Sequence, residues 1–173
     1  MVLARGPFAI RPARPADFAE MLRLNAEWVR FTSELDASAL EELHALSPYH
    51  RVVESGGCVV AFLLVLREDS DYASPNYQWF DDRGGPFLYI DRVVVEAADQ
   101  GQGIATMLYD DLLAFARESG VGRVVCEIDV DPPNDPSCRF HDRYGFTEVG
   151  TQWVAGGTKR VSLRELLVGV GAA

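Results

Sequence analysis

Positive charge is scarce in this chain. Lys and Arg number 16 against 26 Asp and Glu, giving a formal net charge of −10. Recognition of nucleic acid begins with basic patches that neutralise phosphates, so this balance argues against DNA or RNA as a partner. It argues mildly for a cationic substrate, although an acidic excess also serves solubility alone. Long hydrophobic runs are missing as well, and no stretch approaches the length of a membrane span. Nor is there a signal-peptide pattern, because Arg5 and Pro7 interrupt the N-terminus before an apolar region can form. Cysteine is rare: Cys58, Cys126 and Cys138 are odd in number and form no CxxC pair. That points away from a zinc site or a disulfide framework and toward a reduced compartment, so the expected address is cytoplasmic. Repeats, low-complexity tracts and interdomain linkers are absent. With 48% hydrophobic residues, a chain of 173 can bury one full core, and a single domain over 1–173 is expected, with no metal and no membrane or nucleic-acid partner.

The most informative stretch that is present runs Gln100-Gly101-Gln102-Gly103-Ile104-Ala105-Thr106. It follows the apolar strand pattern Tyr89–Val95 and leads into Ile104, Met107, Leu108, Leu112, Phe115 and Ala116, which recur at helical spacing up to Gly120. A strand, a glycine turn and a helix N-terminus make an anion site, since backbone N–H groups converge there and the helix end adds partial positive charge. A Walker loop would need Lys followed by Ser or Thr where Ile104 and Ala105 stand, and the third glycine of a dinucleotide fingerprint would fall on Met107.

Gln100-x-x-Gly103-x-Ala105 resembles the coenzyme A pyrophosphate loop of the GNAT superfamily of N-acetyltransferases, whose pattern is Gln or Arg, x, x, Gly, x, Gly or Ala. A second segment is similar to the same family: the strand pattern Arg123–Asp131, then Pro132-Pro133-Asn134, then a short helix closing on Tyr144-Gly145-Phe146, with Asn134, Phe140, Gly145 and Phe146 in order. The opening Ile10-Arg11-Pro12-Ala13-Arg14-Pro15-Ala16-Asp17 resembles the family's first strand and helix. The resemblance implies an α/β fold with a mixed, mostly antiparallel central sheet, splayed middle strands and flanking helices. It also implies acetyl-CoA or coenzyme A as cofactor, held by Gln100 to Thr106, by Asn134 and Phe140, and by backbone N–H groups around Val93 and Val95.

The remaining pattern agrees with that class. Phe8 to Arg11 is read as a strand, and Pro15 opens a helix whose stripe is Phe18, Met21, Leu22, Trp28 and Val29. Ser38-x-x-Glu41 reads as a capping box opening a helix through Leu46. Strands at His50 to Glu54 and Cys58 to Leu66 flank the turn Ser55-Gly56-Gly57, and Phe146 to Val154 with Lys159 to Leu166 form a closing hairpin turned at Gly156-Gly157. Residues 67–86 lack periodicity and are expected to be a substrate loop. There Tyr72, Tyr77, Trp79 and Phe80 stand among Asp69, Asp71, Asp81 and Asp82, a mixture suited to an amine. The alternative is that these aromatics anchor the loop or form a homodimer contact.

Along the second strand Glu127, Asp129 and Asp131 share one side, opposite Val124, Cys126, Ile128 and Val130. Asp91 is in phase with Tyr89, Val93 and Val95 on the strand before. Either these carboxylates mark a solvated face or, as the resemblance implies, they lie near the reacting centre, with Glu127 and Asp91 as general-base candidates. The implied reaction is direct attack of a primary amine of a small molecule or peptide on the acetyl thioester. The family's thiolate-protonating Tyr is replaced here by His141, and Tyr144 adjoins the glycine instead; either is a candidate acid. Two other functions use the same residues. Cys138 and His141, three apart on the helix, would suit an acyl-enzyme route, and the glycine loop would equally serve a silent acyl-CoA-binding or sensor domain.

Overall fold

The computed structural model describes residues 6–169; Arg5, part of the N-terminal reading, lies outside the described residues. The elements are β1 (Ala9–Pro12), α1 (Phe18–Glu27), α2 (Ala37–Leu46), β2 (Tyr49–Ser55), β3 (Cys58–Arg67), α3 (Pro75–Asp81), β4 (Leu88–Val95), α4 (Ile104–Glu118), β5 (Arg123–Asp131), α5 (Asp135–Tyr144), β6 (Thr147–Val154) and β7 (Lys159–Leu167). Strand order is β1-β2-β3-β4-β5-β7-β6. The β1·β2, β2·β3, β5·β7 and β6·β7 pairs are antiparallel and β4·β5 is parallel. This mixed, mostly antiparallel sheet with helices between its strands is the α/β class expected. The chain divides into two compact units, one formed by the residues up to Val65 with Arg92–Leu112, the other by Leu66–Asp91 and the residues from Leu113 onward.

In the first unit β3 is the core strand. Its run of Val, Ala, Phe and Leu from Val59 to Val65 is buried throughout, and each such Leu or Phe contributes about 1.5–3 kcal/mol relative to exposure. Gly56 and Gly57, at φ 58° and 82°, make the tight turn between β2 and β3, a backbone that twists with the flanking strands. Two sequence boundaries move. Pro15 opens a short 3-10 turn rather than α1 itself, and α1 ends at Glu27, so Trp28 falls at the helix end with φ −120° and Val29 is left 41% exposed. The buried stripe is therefore Phe18, Met21 and Leu24. The cap of α2 is Asp36, whose Oδ1 accepts from Ala39 N at 2.8 Å. Its extended backbone suits an N-cap, whereas Ser38 already lies inside the helix.

In the second unit the aperiodic stretch 67–86 holds a helix. Ser74 caps α3 by accepting from Tyr77 N, and Pro75 occupies its first turn. Seven residues are too few for a helical hydrophobic period to show. α5 ends at Gly145, whose φ of 113° requires glycine, and the next residue, Phe146, is buried. β6 and β7 form the closing hairpin.

Within β4·β5, pairing is confined to Leu88↔Val124 and Tyr89↔Val125.

Candidate active site

The glycine loop belongs to the first unit. Gly101 and Gly103 have φ of 76° and 82°, and a Cβ on either would meet nothing within 4 Å. Glycine is required here by the backbone conformation and not by lack of space. Gly101, Gln102 and Gly103 are all exposed. Ile104 is 2% exposed, so its side chain anchors the start of α4 and only its backbone N–H is available to a ligand. The first turn of α4 contains no acidic residue. Its leading N–H groups have no intrahelical acceptor, and together with the helix dipole they form an open, positively polarised cradle. Gln102 leans back to Asp99, with Nε2 3.4 Å from Oδ1. On β4, Val93 and Val95 are half-buried while Arg92 and Val94 are buried, so one face of this strand is partly accessible.

The carboxylates belong to the second unit, and the three on one side of β5 differ in environment. Asp131 is exposed. Asp129 is 8% exposed and pairs with Lys159 Nζ at 3.0 Å; burial raises its pKa and the ion pair opposes that. Glu127 has no cation beside it among the described hydrogen bonds and ion pairs. The residue is half-buried, and its Oε2 accepts from Tyr89 Oη at 2.7 Å. Burial, with the negative charge of Asp91 adding to it, pushes the Glu127 carboxyl up to about 8, against the stabilising hydrogen bond of Tyr89. Asp91 Oδ1 accepts from Tyr72 Oη at 2.6 Å. The solvated-face reading of the acidic strand thus holds for Asp131 alone.

Of the four aromatics assigned to substrate, Tyr72 is the one hydrogen-bonded to a candidate base. Tyr77 and Phe80 are 1% and 2% exposed. Tyr77 donates to Arg67 O at 2.6 Å and accepts from Ser70 N at 2.8 Å, and both rings pack on Phe87 and Tyr89. They are anchors of α3, which corrects their assignment as substrate contacts. Trp79 lies 3.3 Å from the Arg83 guanidinium and against Gly150, where a Cβ would come within 2.4 Å of its ring.

On α5, Asn134 is the N-cap, its Oδ1 accepting from Ser137 N at 3.3 Å. Phe140 stacks on Tyr144 with ring centroids 5.8 Å apart, and both rings are half-buried. His141, by contrast, is 4% exposed and packed edge-on against Phe146, with Nδ1 2.8 Å from Ser137 O. A carbonyl only accepts, so Nδ1 carries the proton. Burial lowers the His141 pKa to about 4. The buried ring and its Nδ1–H bond to Ser137 O work against the expected imidazolium acid at His141, and Tyr144, half-buried, is the other candidate donor. Cys138 is half-buried and its thiol is pushed up by burial, which disfavours the thiolate that an acyl-enzyme route needs.

Sequence reasoning missed Tyr89, which was visible as the residue in phase with Asp91.

A family model for the acetyltransferase (GNAT) family matches residues 16–146. The chain belongs to that family, and the N-acetyltransferase class read from its two motifs is borne out. It is 30% identical over 162 residues to the phosphinothricin N-acetyltransferase of Streptomyces viridochromogenes, a match covering 88% of this chain and 81% of that protein. In fold it is similar to a Salmonella typhimurium protein solved with its cofactor acetyl-CoA, with a TM-score of 0.70, 23% identity and coverage of 97% of this chain and 98% of the other. It is likewise similar to NAA60 of Arabidopsis thaliana solved with a bisubstrate analogue, at a TM-score of 0.75, 14% identity, and 95% and 100% coverage. Among the described residues no helix is long and apolar enough to cross a membrane.

Proposed function

We propose that the protein transfers an acetyl group from acetyl-CoA to a primary amine of a small molecule or peptide, with Glu127 as general base. The observation that carries this reading is a half-buried carboxylate that accepts from Tyr89 Oη at 2.7 Å and has no cationic partner among the described hydrogen bonds and ion pairs; desolvation pushes its pKa up, toward about 8. An alkylamine has a pKa of about 10 and arrives protonated, so a base poised slightly above neutral pH is matched to removing that proton. Tyr89, whose own pKa burial raises far above the ordinary phenol value, stays protonated and holds Glu127 in place. Asp91, tied to Tyr72, attracts the ammonium group.

The exposed, positively polarised start of α4, free of acidic side chains in its first turn, fits a pyrophosphate. Gln100 to Thr106 would hold that group, and the N–H groups around Val93 and Val95 of the same unit would polarise the thioester carbonyl. Acetyl-CoA supplies the acyl group, and coenzyme A leaves as a thiolate of conjugate-acid pKa roughly 8.5. In the balanced step Glu127 takes the first ammonium proton, directly or through a water, and passes it to solvent; the neutral nitrogen then forms the C–N bond as the C–S bond breaks and gives its second proton to Glu127, while Tyr144 gives its hydroxyl proton to the sulfur and regains one from solvent, so that one proton is released overall. The neighbourhood of Asp91 and Glu127 favours a cationic acceptor.

Thiol release across a panel of amines, in wild type and Glu127→Gln, tests the proposal. Saturable release with at least one primary amine is expected, and Glu127→Gln should lower kcat by about 10²–10⁴-fold. Tight acetyl-CoA binding without release for any amine would favour the silent acyl-CoA-binding domain instead.

A further inference from the structure

Two histidines face each other where α2 meets β2. His44, in the last turn of α2, places its Nδ1 2.8 Å from Nδ1 of His50, the second residue of β2. A hydrogen bond at that distance needs one ring to donate and the other to accept. The far nitrogen of His50 decides which does which. His50 is 5% exposed, and its Nε2 is buried with no hydrogen-bond partner. A proton there would leave an N–H buried without an acceptor, the rarer and costlier kind of orphan. The network therefore assigns the His50 proton to Nδ1, where it is donated to His44, and the His44 proton to Nε2, on the half-buried side of the pair.

That arrangement has no room for a further proton. On His44 it must enter at Nδ1, the atom that accepts the bond. Two N–H groups then oppose each other across 2.8 Å, unless His50 shifts its own proton to Nε2, where nothing receives it. The rest of the surroundings give little relief. Phe18 packs edge-on against His44 and Phe62 of β3 edge-on against His50. The charges facing His50 are Asp17, from the turn before α1, which favours protonation, and Arg51, next along β2, which opposes it. Asp17 is itself paired with Arg11 at 2.8 Å. No ion pair joins His44 to a carboxylate among the described contacts.

We propose that the His44–His50 bond is a pH-sensitive latch, which holds the end of α2 on β2 at neutral and alkaline pH and releases it when the pair takes up a proton. Ser47 Oγ lies 2.6 Å from Val65 O and keeps the link between α2 and β2 on β3, so release frees the last turn of α2 and leaves the start of β2 in place. The device uses no residue of the proposed catalytic machinery. Burial, with repulsion from a protonated His44 adding to it, holds the His50 pKa down to about 3 from the ordinary 6.5. Between those values the unfolded chain binds a proton that folded His50 refuses, so the stability contributed is full above about 6.5 and is lost as pH falls toward about 3.

The test combines imidazole nitrogen NMR of the full chain with amide hydrogen exchange, corrected for the intrinsic rate at each pH. At about pH 8 both rings are neutral, and His50 should carry its proton on Nδ1 and His44 on Nε2. The Ser47 amide, bonded to Leu43 O at the end of α2, should lose about five- to tenfold in protection between about pH 7.5 and about pH 5, the size of one lost hydrogen bond. Amides of β3 are the internal control. His44→Gln supplies a carbonyl that accepts from His50 but takes no proton, and its Ser47 protection should change by less than about twofold over the same range. His44→Ala removes the acceptor and should show low protection at both pH values. Melting curves establish that each variant folds, and the wild-type tautomers and exchange decide the matter even if one does not. A His50 proton found on Nε2 at about pH 8, Ser47 protection independent of pH in the wild type, a fall of equal size in β3, or an undiminished fall in folded His44→Gln each overturn the latch.

Discussion

The glycine loop and the Glu127 cluster handle charge by opposite means. The loop is exposed and relies on backbone: two glycines at positive φ and the start of α4, with side chains that turn away or pack inward. The cluster is half-buried and relies on side chains: Tyr89 of β4 on Glu127 of β5, and Tyr72 on Asp91. A backbone site is set by local conformation and tolerates most neighbouring substitutions. A desolvated carboxylate is set by everything packed around it, and single changes at a distance in sequence retune it.

The loop gives the largest expected effect. Gly103→Glu adds a carboxylate to the cradle and places a Cβ on a backbone at φ +82°, so coenzyme A affinity measured by titration calorimetry should fall by at least about 10²-fold. Gly103→Ala separates the two causes. Nothing within 4 Å obstructs its methyl, leaving strain of about 1–2 kcal/mol, and its affinity should stay within about tenfold of wild type. The Glu127 titration should be the same in both. Equal, severe losses in Gly103→Ala and Gly103→Glu would show that conformation, not charge, makes the site.

The same contrast explains what could be read from the sequence. The loop was legible because the spacing of Gln100, Gly103 and Ala105 and the helix behind them are local, and so was the order from Asn134 to Gly145-Phe146. The strand phases of β5 were legible too. The separate fates of Glu127, Asp129 and Asp131 were not, because Lys159 and Tyr89 reach them only through sheet pairing and tertiary packing. α3 was hidden by its shortness. His141 stands where the resemblance placed a donor, but its polarity in sequence gave no sign of a ring 96% enclosed, which follows from its 4% exposure.

A smaller effect divides α5. Tyr144→Phe should lower kcat by about 10–10²-fold, toward the low end for a lost general acid, with coenzyme A affinity little changed. His141→Ala should leave kcat of the folded enzyme within a few fold and instead cost roughly 1–3 kcal/mol of stability, through a vacated buried site and the loss of the bond to Ser137 O. A large kcat loss in His141→Ala beside a normal Tyr144→Phe would return the acid to the imidazole.

A further effect is on stability, and it runs against activity. Glu127 has a folded pKa of about 8 against an ordinary 4.5, so between those values the unfolded chain releases a proton that the folded chain retains. The unfolded state therefore binds fewer protons, and by linkage this residue lowers stability progressively as pH rises from about 4.5 to about 8, with no further change above. Glu127→Gln removes that liability while keeping an oxygen to accept from Tyr89. The substituted enzyme should match wild type in thermal stability near pH 4.5 and exceed it increasingly toward pH 8, by an amount on the order of 2–4 kcal/mol. The gain would accompany a near-complete loss of turnover. Melting curves collected across that range decide the matter: a constant difference between the two proteins, or one that shrinks as pH rises, would mean that Glu127 is not held as a desolvated acid, and the cluster would then resemble the solvated loop rather than oppose it.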